Sequence, residues 1–116
     1  MVTPYLPPVN DGLRNYHELS AIRLETLNSF LCATTAELGE ITEEQVLDMA
    51  VRTVTPQSEC LFIACSQLPT LNVVAKLRAQ LEIPVWSSIQ ATAWAAAAAL
   101  TAHGLPVRLM ADAHAA

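Results

Sequence analysis

Two short apolar runs with an amphipathic segment between them constrain this chain more than any other feature. Residues 61–64, LFIA, are continuously apolar between Glu59 and the Ser66-Gln67 pair. That is the pattern of a strand covered on both faces. Leu71, Val74, Leu77 and Leu81 follow Pro69 at helical spacing. Residues 83–86 then form a second apolar run, ended by Ser87 and Ser88. Strand, helix and strand in this order make a parallel pair joined by a right-handed crossover.

The remaining sequence extends the alternation. Residues 2–5 give a short apolar start stopped by Pro7 and Pro8, and a helix is predicted over residues 9–19, weakened by Gly12. Residues 21–27 alternate Ile22 and Leu24 with polar neighbours, which suits a strand. Residues 28–40 read as a loop with some helical character. Thr42, with Gln45 three residues on, forms a capping-box pattern. It opens a helix that carries Val46, Leu47, Ala50 and Val51 on one face and fades before Pro56. The last helix is expected over residues 91–102, closed by Gly104 and Pro106. The expectation is an α/β fold: one domain over residues 1–116, three-layered α/β/α, around a roughly four-stranded parallel sheet.

Composition narrows the partners. Only 15% of the residues are charged while 53% are hydrophobic, against roughly a quarter charged in ordinary soluble domains. A lobe this apolar is expected to hide part of its surface against a second lobe or a second copy of itself. The net charge of −5, with no basic run, argues against nucleic acid and against an anionic membrane surface. Residues 91–102 are the longest uncharged stretch and are too short to span a bilayer. The amino terminus lacks the basic and apolar segments of a signal peptide. Cys32, Cys60 and Cys65 form no CxxC pair, which points to reduced thiols in a cytoplasmic compartment.

In parallel sheets the ligand sits beyond the carboxyl ends of the strands. That rule selects Tyr5, Cys65 with Ser66, and Ser87 with Ser88. Cys65 ends a buried strand and leads toward a helix whose first N–H groups carry the positive end of the dipole. Such a place lowers a thiol pKa and holds carboxylates. Position alone favours a small buried hydrophobe, the commoner state of a free cysteine. Cys60, five residues earlier, points to the opposite face and reads as structural, as does Cys32. Trp94 reads as a packing residue on an alanine-rich helix suited to close approach of another element. No GxSxG, HExxH or phosphate loop is present. His17, His103 and His114 are too scattered for a metal site or a Cys/His dyad.

Residues 61–70, LFIACSQLPT, resemble the second cysteine motif of the maleate cis-trans isomerases and their relatives in the aspartate/glutamate racemase superfamily. VTPY at residues 2–5, followed by Asn10, ELGEITEEQV at 37–46 and IPVWSSIQATAW at 83–94 keep the family's order and spacing. The resemblance is to the branch of maleate isomerases and arylmalonate decarboxylases, and specifically to the carboxyl-terminal half of such enzymes. It implies one lobe of a two-lobe, pseudo-symmetric fold in which each lobe gives a cysteine to the cleft between them. It also implies Cys65 as the catalytic thiol, with Tyr5, Asn10, Thr35, Ser66 and Gln67 binding a small carboxylate or dicarboxylate. Ser66 stands where the family commonly has threonine. No cofactor or metal is expected. The first lobe, with its own cysteine, is not in this sequence, so an isolated lobe is expected to be inactive. A non-catalytic interaction domain of the same fold is the alternative.

Overall fold

In the computed structural model, residues 1–105 and 107 are described. Pro106 and His114, named above, lie outside them. The chain runs β1 (Val2–Thr3), α1 (Pro7–Leu19), β2 (Asn28–Ser29), α2 (Thr35–Gly39), α3 (Glu43–Thr53), β3 (Leu61–Ile63), α4 (Leu71–Leu81), β4 (Val85–Ser87) and α5 (Ser88–Ala102). The four strands form one sheet in the order β2-β1-β3-β4, and every pairing is parallel. The expected α/β architecture is therefore present.

The core lies on one face of the sheet. Successive strand residues point to opposite faces, and Val2, Leu61, Ile63 and Val85 are fully or almost fully buried. They meet Val46 and Ala50 of α3 and Val73, Val74 and Leu77 of α4 in one cluster. Leu71, expected on the buried face of α4, is 61% exposed and Val73 takes its place. Leu71 is the first residue of the helix, before the packed face has swung toward the sheet. Phe62 and Trp86 point the other way and stay half-exposed. On that side α1 buries only Asn10, and α5 only Gln90 and Ala97. Most alanines of α5 are solvent-facing. Trp94 does contact Trp86, edge to face at 6.3 Å, yet remains 46% exposed.

Several boundaries differ from the sequence reading. Pro7 and Pro8 open α1 instead of stopping the chain before it, because proline's missing N–H and fixed φ suit the first helical turn. Residues 21–27 join no ladder, and the strand lies at Asn28–Ser29. The alternation there is a strand pattern, but a strand also needs a paired neighbour, and this segment has no ladder partner among the described residues. Met1 donates its amine to the Thr26 carbonyl at 2.7 Å. Residues 28–40 hold both β2 and a short helix, α2, whose cap is a full box between Thr34 and Glu37. The Thr42–Gln45 box is present as read. The last helix starts three residues earlier than expected, since Ser87 ends β4 and caps α5 by accepting from the Gln90 N–H. Gly104, at φ +77°, follows α5 in the left-handed conformation usual after a helix.

Candidate functional site

The strand order creates the site. From β1 the chain moves to β2 on one side, and from β3 to β4 on the other, so the segments leaving β1 and β3 diverge. The crevice at such a switch point is where open parallel sheets bind ligands. Tyr5 leaves β1 and Cys65 leaves β3 on either side of it. A cleft of about 430 Å³ opens there, lined by Tyr5, Leu13, Phe62, Ala64, Cys65, Ser66, Ser88, Ile89 and Thr92.

Tyr5 is held by its backbone. Its carbonyl accepts from Asn10 Nδ2 at 2.8 Å and from Ser29 Oγ at 2.6 Å. Asn10 Oδ1 in turn accepts from Thr3 Oγ1 at 2.6 Å. The Tyr5 and Cys65 side chains line the same cleft, and burial first, then the neighbouring Cys65 side chain, pushes the phenol pKa up. Cys65 is half-buried and has φ +88°. For a residue with a side chain this conformation costs of order 1–3 kcal/mol. It turns the main chain sharply at the end of β3 while the thiol stays at the cleft.

The helix that begins at the cleft is not the one the sequence suggested. α4 starts at Leu71, six residues past Cys65 and beyond the Ser66-Gln67 turn, and the dipole effect fades within a helix's first turn. No α4 residue lines the cleft. The start of α5 does, through Ser88 and Ile89 in its first turn and Thr92 in its second. Ser88 Oγ is buried there with no hydrogen-bond partner, and the N–H groups of a first helical turn have no intrahelical acceptor. Among the described residues no charged side chain lines the cleft, so a bound carboxylate would rely on hydroxyl and main-chain N–H donors.

The carried-over residues divide. Tyr5, Cys65 and Ser66 come together at the cleft. Asn10 is buried and spent on Thr3 and Tyr5, so it positions Tyr5. Thr35 is the exposed first residue of α2 and Gln67 is exposed on the turn, and neither lines the cleft. Leu13, Ile89 and Thr92 were not singled out. Ile89 lies in the first turn of α5, whereas Leu13 and Thr92 lie one turn further along α1 and α5, where no local pattern marks them. Cys60 is exposed at the opposite end of the sheet, so it does not serve the core. Cys32 is half-buried, and burial together with the Glu37 and Cys65 charges raises its pKa.

A parallel sheet with a cysteine and a tyrosine at its switch point defines a class, and comparison with known proteins identifies the family. A family model for arylmalonate decarboxylase matches residues 1–113. The chain belongs to that family. It is 30% identical over 95 residues to the maleate isomerase of Nocardia farcinica, covering 81% of this chain and 38% of that protein. The structure of the Nocardia farcinica maleate cis-trans isomerase bound to TRIS superposes with a TM-score of 0.79 at 28% identity, over 90% of this chain and 42% of that one. The maleate isomerase Iso of Pseudomonas putida S16, in a structure with maleate, gives 0.79 at 26% identity over 92% and 42%. A liganded mutant form of arylmalonate decarboxylase shares the fold, with a TM-score of 0.76 at 23% identity over 82% and 43%. The chain thus spans about two fifths of the length of the relatives it matches.

Proposed function

We propose that this chain is one lobe, equivalent to the carboxyl-terminal half, of a cofactor-independent isomerase, racemase or decarboxylase that acts on a small carboxylate through the Cys65 thiol. The observation that carries the reading is the meeting of Tyr5 and Cys65 in one cleft at the switch point, beside the unpartnered Ser88 hydroxyl. In an isomerisation of the maleate type, the thiolate would add to the double bond next to a carboxylate. The electron pair moves onto that carboxylate as an enediolate. Rotation about the resulting single bond and expulsion of the thiolate return the carbon–carbon double bond in the other geometry. In a decarboxylation or racemisation the thiol instead donates its proton to the enediolate carbon. Either way the developing charge falls where Tyr5, Ser66, Ser88 and the α5 N–H groups can stabilise it.

The cleft is open and lined from one lobe only, so turnover requires a second wall. In a two-lobe protein carrying this chain as its second half, Cys65→Ser should abolish nearly all turnover. Normal turnover by that variant would remove Cys65 from the mechanism. A second reading, a non-catalytic interaction domain of the same fold, is favoured by the largely exposed apolar surface of α5. The three free thiols suit a reducing, cytoplasmic setting.

A further inference from the structure

The hydrogen bonding between β1 and β2 slips where the chain enters the cleft. Up to that point it advances two residues at a time on both strands. The Asn28 N–H donates to the Met1 carbonyl at 3.1 Å, and the Phe30 N–H donates to the Thr3 carbonyl at 3.0 Å. The next step of a regular parallel pair would carry the Cys32 N–H to Tyr5. It goes instead to the Pro4 carbonyl, at 2.8 Å, with Leu31 turned to φ +54° just before it. The Tyr5 carbonyl is thereby left with no main-chain donor among the described residues.

Side chains from two other elements take the place of that bond. Ser29 Oγ, on β2, donates to the Tyr5 carbonyl at 2.6 Å, and Asn10 Nδ2, on α1, donates to it at 2.8 Å. Ser29 Oγ also accepts from the Leu31 N–H at 3.2 Å, so its one hydroxyl is used both as donor and as acceptor. On the other side of Tyr5, its N–H reaches Thr3 Oγ1 at 3.4 Å, and Thr3 Oγ1 donates to Asn10 Oδ1 at 2.6 Å. Both peptide groups of Tyr5 are therefore tied into one network. Thr3 and Asn10 are buried within it, and Ser29 is half-buried.

We infer that Ser29 is a positioning residue of the carboxylate site, holding the Tyr5 ring at the cleft beside Cys65 by way of the Tyr5 carbonyl. What the ring does there rests on the proposed function. A tyrosine ring departs from the main chain through two torsions only, each with few preferred values. Fixing the peptide groups on both sides of Tyr5 therefore fixes the direction in which the ring leaves. Asn10 by itself holds the carbonyl from one side, and the carbonyl could still pivot about that bond. Ser29 reaches it from the neighbouring strand and removes this freedom. No residue of β2 lines the cleft, so the edge strand enters the site only through this hydroxyl. Reactive geometry is sensitive to such support, because a displacement of about 1 Å can cost a large part of the rate.

The test reads the ring directly. The chain has two tyrosines, and Tyr16, 66% exposed, serves as the internal reference when both are replaced by 3-fluorotyrosine for ¹⁹F NMR. Ser29→Ala should move the Tyr5 signal toward that of Tyr16. Ser29→Thr, which keeps the hydroxyl, should leave it in place. Thr42→Ala, a cap variant on the far side of the sheet, controls for lost stability and should not move it. In a two-lobe protein carrying this chain as its second half, Ser29→Ala should lower kcat about tenfold, and Ser29→Thr should restore it. An unmoved Tyr5 signal in Ser29→Ala overturns the inference, as does an equal movement in Thr42→Ala. Unchanged kcat in Ser29→Ala, where Cys65→Ser abolishes turnover, overturns it too. If Cys65→Ser itself leaves turnover normal, the proposed function fails separately, and the fluorine signal still decides whether Ser29 holds the ring.

Discussion

Cys65 combines the reactive atom of the proposed site with a backbone conformation that side chains resist. Glycine has no such penalty, although it gives up more chain entropy on folding. The Cys65→Gly variant should therefore be more stable than Cys65→Ala by about 1 kcal/mol in urea denaturation. A glycine variant less stable than the alanine variant would show that the turn stores no strain. The Met1 amine carries a second prediction. Burial, the largest effect on it, lowers its pKa from 8.0 to about 6. A group whose folded pKa is depressed contributes stability that is full above the unfolded value and lost as pH falls through the folded value. The melting temperature should thus fall between pH 8 and pH 6, and an N-terminally acetylated chain should lack that part of the slope. Identical pH profiles for the two would contradict the burial of the amine. At this scale the sequence was a fair guide to where Cys65, Tyr5 and Ser66 lie in the fold, because each follows an apolar run at a strand end. It could not reveal that Asn10 spends its amide on Tyr5, or that Ser88 Oγ lies buried without a partner. Both depend on contacts between segments, which leave no local pattern.

The elements show the same division. Helices α3 and α4 were legible because their apolar spacing and the Thr42–Gln45 box are local signals that agree with the tertiary packing. The Thr42→Ala variant removes the side chain that accepts from Gln45 N–H, and should cost about 1 kcal/mol in chemical denaturation. A neutral result would mean that packing alone sets the start of α3. The segment before β2 was misread because alternation marks a chain able to be a strand, whereas forming a strand also needs a neighbour. Helix α5 was shortened in the sequence reading because Ser87 and Ser88 look like loop residues. Here Ser87 serves both as the last residue of β4 and as the helix cap, and Ser88 begins the helix.

For the whole molecule the unequal cover of the sheet matters most. One face is closed by α3 and α4, while the other carries α5 with Trp94, Leu100 and Ile89 at 46%, 42% and 51% exposure. A helix apolar on all sides is normally buried, and no helix among the described residues is long and apolar enough to cross a membrane. The chain should therefore self-associate at micromolar concentration in sedimentation. A monomer that binds no apolar dye would rule this out. The central claim is a reactive Cys65 in a half-built carboxylate site, and differential alkylation tests it most directly. All three cysteines are free, so iodoacetamide labelling near neutral pH, read residue by residue by mass spectrometry, compares them within one molecule. The account predicts that maleate slows labelling at Cys65 and leaves the exposed Cys60 unchanged. Labelling of Cys65 that maleate does not alter, or slowing shared equally with Cys60, would contradict it.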